Sequence, residues 1–245
     1  MAATPLQVVI LAAGKGTRLG RPKPKPLTPL DDGRTIIEQQ LDNVRHAFGD
    51  RARVTAVVGY KHDMIMEEVP DLLFAYNEDY EETNTSKSLL KALRLSPDGG
   101  VIWMNGDVVF DATVLSRLEA FLERDESAIA VNTAATAEEE VKYAVDEHGR
   151  VRELSKQVQD ALGEAVGINL VAGRDKDALI ARLAECDDQD YFERGIELAI
   201  EKDGLQVTPV DISDLFAVEV DFAEDLERAI AARRTYVEGG GSAGA

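Results

Sequence analysis

The feature that most constrains the fold is a buried strand running straight into a loop of glycines and cations. Val8-Val9-Ile10-Leu11 is short, mostly β-branched and unbroken by polar residues, the composition of a strand covered on both faces. It leads into Ala12-Ala13-Gly14-Lys15-Gly16-Thr17-Arg18-Leu19-Gly20 and then Arg21-Pro22-Lys23-Pro24-Lys25-Pro26. A strand of this kind belongs to a parallel sheet with helices on each side, where ligands bind beyond the carboxyl ends of the strands. The loop lies there. Glycines let backbone N–H groups approach a polyphosphate, while Lys15 and Arg18 supply charge to hold it.

The rest of the chain keeps the same rhythm. Thr35 is placed to cap a helix whose apolar residues Ile37, Leu41, Val44 and Phe48 recur at helical spacing. Strands are predicted at 54–58, 72–76, 101–104 and 128–131, with helices at 61–69, 86–95 and 111–123 between them. From about Thr133 the pattern changes. Segments 143–145 and 151–154 flank Asp146-Glu147-His148-Gly149-Arg150 as a hairpin, and a strand at 165–171 follows. Helices near 177–185 and 191–201, short strands at 207–210 and 216–220, and a helix starting at Asp221 complete the reading. The expected architecture is α/β: a Rossmann-like, mixed but mostly parallel sheet flanked by helices, with a small substrate lobe. Residues 1–237 read as one domain, with halves of about 1–132 and 133–237, and Gly-rich 238–245 reads as a flexible linker, which suits an artificial tail and a connection to a second catalytic domain equally.

Charge sharpens the functional reading. The chain has 27 basic and 46 acidic residues, a net charge of −19, which disfavours nucleic acid and anionic lipid as partners. On so acidic a chain, Lys15, Arg18, Lys23 and Lys25 within one loop point to a triphosphate. One cysteine, Cys186, leaves no internal disulfide and no cysteine-based zinc cluster, and it reads as a structural thiol at a helix end. No apolar run approaches the ~20 residues needed to span a bilayer, and no signal region precedes the first strand, so a cytosolic location is expected.

Gly14-x-Gly16 also fits the start of a dinucleotide-binding motif. That motif needs a helix opening within the glycines and an acidic residue ending the next strand. Here Pro22, Pro24 and Pro26 forbid an early helix, and the second strand ends in Gly59-Tyr60. No Gly-Lys-Ser/Thr closes the loop as a Walker motif would. Asn105-Gly106-Asp107 ends a buried strand at the same sheet edge, and a carboxylate beside a triphosphate is what Mg²⁺ needs. Asp221 is the second candidate ligand, and with Glu224 it also reads as a helix N-cap.

Leu11 to Gly20, followed by Pro24-Lys25-Pro26-Leu27-Thr28-Pro29-Leu30, resembles the signature of the sugar-phosphate nucleotidyltransferase superfamily. The similarity continues through Asn105-Gly106-Asp107 and Glu219 to Leu226. It implies that Leu11, Ala12, Ala13, Gly14, Lys15, Gly16, Thr17, Arg18 and Gly106 meet the nucleotide, with Lys25, Arg18 and Asp107 catalytic and Asp107 and Asp221 holding Mg²⁺. Lys156 matches a lysine placed against the acceptor's phosphate, although the family's usual Glu-Lys pair is Ser155-Lys156 here. Tyr76 to Tyr80 with Thr83 to Leu90, and Gly163-Glu164-Ala165-Val166-Gly167, resemble the cytidylyltransferase branch that uses phosphocholine or phosphonates. That branch implies Asn84, Ser86 and Ser88 reading the pyrimidine of CTP, and Asn105, Glu164 and Gly167 beside the acceptor; Thr83 to Ser86 equally suits a helix cap. The likeness extends to cytidylyltransferase domains joined to phosphoenolpyruvate mutases in fosfomycin biosynthesis, which implies 2-hydroxyethylphosphonate as acceptor. Phosphocholine or sugar-1-phosphate transfer, and a non-catalytic nucleotide-binding module, are the alternatives. The sequence does not speak to oligomeric state.

Overall fold

The computed structural model of the chain describes residues 6–134 and 140–238. The first strand, β1 (Leu6–Ala12), is the axis of a nine-stranded sheet. On one side it pairs in parallel with β2 (Ala52–Val58), which pairs with β3 (Leu73–Tyr76). On the other it pairs in parallel with β4 (Val101–Asn105). Beyond β4 lie β9 (Gly163–Val171), β6 (Ser127–Asn132) and β10 (Val207–Asp211), of which only β9 runs antiparallel. The expected mixed, mostly parallel sheet is present. Residues after 132 contribute four of its strands: β9 and β10 here, and a hairpin attached to β9.

Successive residues of β1 point to opposite faces, and both faces are dry. Val8, Ile10 and Ala12 pack against Ile37, Leu41, Val44 and Phe48 of α1 (Ile36–Phe48) and against Val114, Leu115 and Leu118 of α4 (Thr113–Glu123). Val9 and Leu11 pack towards α3 (Thr85–Leu95), α5 (Lys176–Glu185) and α6 (Phe192–Asp203). There Trp103 meets Phe192 edge-on, with ring centroids 5.6 Å apart. A short helix, α2 (His62–Glu68), covers the far edge. The predicted hairpin is formed by β7 (Lys142–Val145) and β8 (Val151–Ser155), with β7 joined to β9.

Three expectations need correction. Val108–Phe110 forms a strand, β5, absent from the sequence reading, which pairs antiparallel with β11 (Ala217–Glu219). The last helix, α7, runs from Ala223 to Glu238 rather than starting at Asp221. The N–H groups that lead into it, those of Asp221 and Phe222, donate to Asp225 Oδ2 at 3.1 and 2.8 Å, so the reciprocal half of a capping box is made by Asp225 rather than by the expected Glu224. Glu238, placed in the linker by sequence, ends α7; the tail from residue 239 lies outside the described residues.

The short strand β5 is held by the polar residues of α1. Thr35 and Glu38 close a capping box at the start of that helix. Gln39 Nε2 and Asn43 Nδ2 each donate to the Phe110 carbonyl at 2.7 Å. Gln40, fully buried, donates to the carbonyls of Asn105 (2.9 Å) and Val108 (2.8 Å), the residues on either side of Gly106-Asp107. Gln40→Leu strips both carbonyls of this donor, so a loss of about 1–3 kcal/mol in a urea melt is expected.

Candidate functional site

A cavity of about 530 Å³ opens at the carboxyl ends of β1 and β4. Leu11, Ala12, Gly14, Lys15, Gly16 and Arg18 line it from the first loop. Pro24-Lys25-Pro26-Leu27 is folded into a buried 3-10 turn, with the Leu27 N–H donating to the Pro24 carbonyl at 2.9 Å. This turn places Lys25 at the cavity with only 8% exposure. Gly16 adopts φ +56°, and a Cβ there would stand 2.5 Å from Lys25 Cγ, so the loop and the lysine stem require each other. Gly106 is equally confined: its N–H donates to the Leu11 carbonyl at 2.9 Å, and a Cβ would lie 2.7 Å from that oxygen.

Beside Lys25 stand three carboxylates. Asp107 follows β4, Glu219 ends β11, and Asp221 follows it; the Val220 N–H donates to the Asp107 carbonyl at 2.9 Å and ties the two segments together. Each of the three offers an oxygen, and these oxygens lie within 4.8 Å of one another. Lys25 Nζ bonds Asp107 Oδ2 at 3.0 Å and also bonds Asp221, while Arg18 reaches Asp221 Oδ2 at 2.5 Å. Burial works against the charge on Lys25, but Asp107 and Asp221 outweigh it and hold its pKa above the ordinary value. Glu219 is shifted well upwards, first by burial and then by the like charges of Asp107, Glu140 and Asp221. Lys15 pairs instead with Glu81 at 2.9 Å.

The predicted site residues divide clearly. Asn84, Asn105, Gly106, Asp107, Lys156, Gly167 and Asp221 line the same cavity as the loop. Ser86 and Ser88 do not: both are buried within α3, and the Ser88 hydroxyl accepts from Asn77 Nδ2 at 3.1 Å. Asn84 caps α3, accepting from the Thr85 N–H at 2.9 Å. Ala13 lies behind the loop, where its carbonyl accepts from the Tyr60 N–H, and Glu164 sits on β9 opposite Lys142, outside the cavity wall. Thr17 belongs to the 3-10 turn Thr17–Leu19, with its side chain outside the described residues.

Sequence reasoning missed Glu219, Tyr80, Glu140, Tyr191 and Glu193, all of which reach the cavity. Glu219 had a readable signal. It lies two residues before Asp221, and alternate residues of an extended strand share a face. Glu193, in the first turn of α6, gave none, because its place depends on how that helix docks. The Phe192 N–H donates to Thr85 Oγ1 at 3.1 Å, and the Asn84 N–H donates to the Asp188 carbonyl at 2.7 Å, stitching the starts of α3 and α6 together.

Burial pushes Glu193 up to about 7 from an ordinary 4.5. The unfolded chain therefore releases this proton above 4.5 while the folded chain keeps it until about 7, so stability falls as pH rises through that window. Glutamine mimics the neutral form. Glu193→Gln should raise stability at pH 8 by on the order of 2 kcal/mol and change it little at pH 5, read by melts at both values.

Among the described residues no helix is long and apolar enough to cross a membrane. Cys186 is buried at the end of α5, and burial raises its thiol pKa, so it has the character of a structural thiol.

Comparison with known proteins places these observations in a family. The chain is 31% identical, over 93% of its length, to the CMP-5'-(3-aminopropyl)phosphonate synthase of Streptomyces rubellomurinus, and it spans 38% of that protein. Its fold matches the inositol-1-phosphate CTP transferase of T. maritima, with a TM-score of 0.75 at 15% identity, covering 95% of this chain and 97% of that one. It also matches the CTP:phosphocholine cytidylyltransferase of Streptococcus pneumoniae, with a TM-score of 0.74 at 17% identity, covering 93% and 98% respectively. The family model for the MobA-like NTP transferase domain matches residues 8–187. The chain, with its cations packed against a carboxylate cluster at the sheet edge, belongs to the MobA-like NTP transferase domain family.

Proposed function

We propose that this chain is a cytidylyltransferase that moves CMP from CTP to a small phosphonate and releases pyrophosphate. The observation that carries the reading is the meeting of Lys25 and Arg18 with Asp107, Glu219 and Asp221 in one cavity. The phosphonate class is supported by the 31% identity to a protein named for CMP-aminopropylphosphonate synthesis.

An acceptor oxygen attacks the α-phosphorus in line, the bond to the β-phosphate breaks, and pyrophosphate leaves. The acceptor is already an anion, so no general base is needed, and catalysis comes from alignment and from neutralising repulsion between anions. Lys25, buried at the cavity, would stabilise charge at the α-phosphate, and Arg18 with Lys15 would hold the leaving phosphates. Asp107, Asp221 and Glu219 offer the hard oxygen donors that Mg²⁺ takes. When bound, Mg²⁺ supplies Lewis-acid charge and a template for the phosphates. Arg18 and Lys25, now paired with carboxylates, would turn to phosphate oxygens when the nucleotide binds. Lys156, on a separate wall with Tyr191, would take the acceptor's anionic end.

The test is pyrophosphate release with Mg²⁺ across CTP, UTP, dTTP, ATP and GTP. Each is paired with 2-hydroxyethylphosphonate, the acceptor of the fosfomycin-type reading, 2-aminoethylphosphonate, 3-aminopropylphosphonate, phosphocholine and glucose-1-phosphate. Release with CTP and a phosphonate is the expected result. Release only with phosphocholine or the sugar phosphate would keep the mechanism and overturn the acceptor class. No release from any pair, with nucleotide still binding, would make the chain a nucleotide-binding module.

A further inference from the structure

One wall of the cavity has a character opposite to its phosphate-facing loop. Glu193 lines it with only 8% exposure, and among the described residues its buried Oε2 has no hydrogen-bond partner. Buried carboxylate oxygens are rarely left in that condition, and one at a cavity wall is ready for a donor carried by a ligand. Tyr191 lines the same wall, and its ring face already meets a cation: Lys156 Nζ lies 5.6 Å from the ring centroid. A single short segment thus presents an unsatisfied acid and an aromatic face that accommodates positive charge.

We propose that Glu193 and Tyr191 form a subsite for an ammonium group at the far end of the acceptor. The preferred acceptor is then a zwitterion, with a phosphonate at one end and a primary amine at the other. This inference rests on the phosphonate reading above and departs from the hydroxyl expected from sequence. A hydroxyl would satisfy one lone pair of Glu193 but bring no charge to favour the ionised form that burial disfavours. A methyl would satisfy neither, whereas an ammonium brings hydrogen bonds and charge together and stacks favourably on the tyrosine face. Lys156 would turn from the ring to the phosphonate, so the two ends of the acceptor would divide the charges of this wall between them.

The experiment is isothermal titration of the intact chain, held with Mg²⁺ and a non-hydrolysable CTP analogue, against 3-aminopropylphosphonate and its isostere butylphosphonate. Wild type is expected to bind the amine at least about 10-fold more tightly, the scale of one charge-assisted hydrogen bond. In Glu193→Gln the ratio should fall to within about 2-fold. Equal affinities in wild type, or an unchanged ratio in Glu193→Gln, would overturn the subsite. Turnover assays with both compounds separate this inference from the reading beneath it. A preserved amine preference without CMP transfer to either compound supports the subsite and removes the phosphonate reaction. Transfer to both with equal affinity does the reverse.

Discussion

Replacing Lys25 with alanine is expected to lower the rate of CMP transfer by about 10²–10³-fold, the cost of losing one preorganised charge at a developing anion. The other cations of the first loop that line the cavity have places of their own: Lys15 pairs with Glu81 and Arg18 with Asp221. The same substitution removes a counter-ion from Asp107 and Asp221, so the metal-free variant should also melt lower than wild type. This provides a way to separate catalysis from folding. Saturating Mg²⁺ restores a cation to the carboxylates and should recover most of the melting temperature, while the transfer rate stays down. A variant whose rate returns with its melting temperature would make Lys25 a structural counter-ion and remove it from the chemistry. Gly16 is tied to the same outcome, because the lysine stem packs against its bare backbone.

What the sequence disclosed follows from how local each feature is. β1 and β4 carry continuous apolar runs buried on both faces, β2 does so over residues 56–58, and their spacing with the helices announces a parallel sheet. The loop from Gly14 to Lys25 was legible because proline and glycine restrict the backbone within a few residues. β5 was not, because three residues following a turn look like any short apolar run. Its existence depends on β11, more than a hundred residues away, and on Gln39, Gln40 and Asn43 of α1. Ser86 and Ser88 were misplaced for a related reason. The resemblance marks the segment but not which way each side chain turns, and here both serines are buried, with Ser88 bonded to Asn77. The wall of Tyr191 and Glu193 is a product of docking α6 against α3 and could be found only in three dimensions.

The same distinction sets the second large effect, which compares a carboxylate that the sequence marked with one that it did not. Asp221→Ala is expected to reduce transfer by about 10²–10³-fold and to raise the Mg²⁺ concentration giving half-maximal rate at least about 10-fold, since a hard cation loses a charged oxygen ligand. The start of α7 should survive, because Asp225 accepts from the backbone N–H groups of residues 221 and 222, and alanine keeps the N–H at 221. Glu219→Gln is the sharper comparison. Its carboxylate lies within reach of the same ion but makes no ion pair with Lys25 or Arg18, which contact Asp107 and Asp221 instead. If Glu219 is a ligand, the glutamine variant needs more Mg²⁺, as Asp221→Ala does, and saturating metal returns part of its rate. If it is only a buried acid crowded by like charges, glutamine relieves repulsion: the metal-free protein melts higher and the Mg²⁺ dependence does not move. Measuring rate against Mg²⁺ together with metal-free melting therefore assigns Glu219, and it does so independently of which acceptor the enzyme uses.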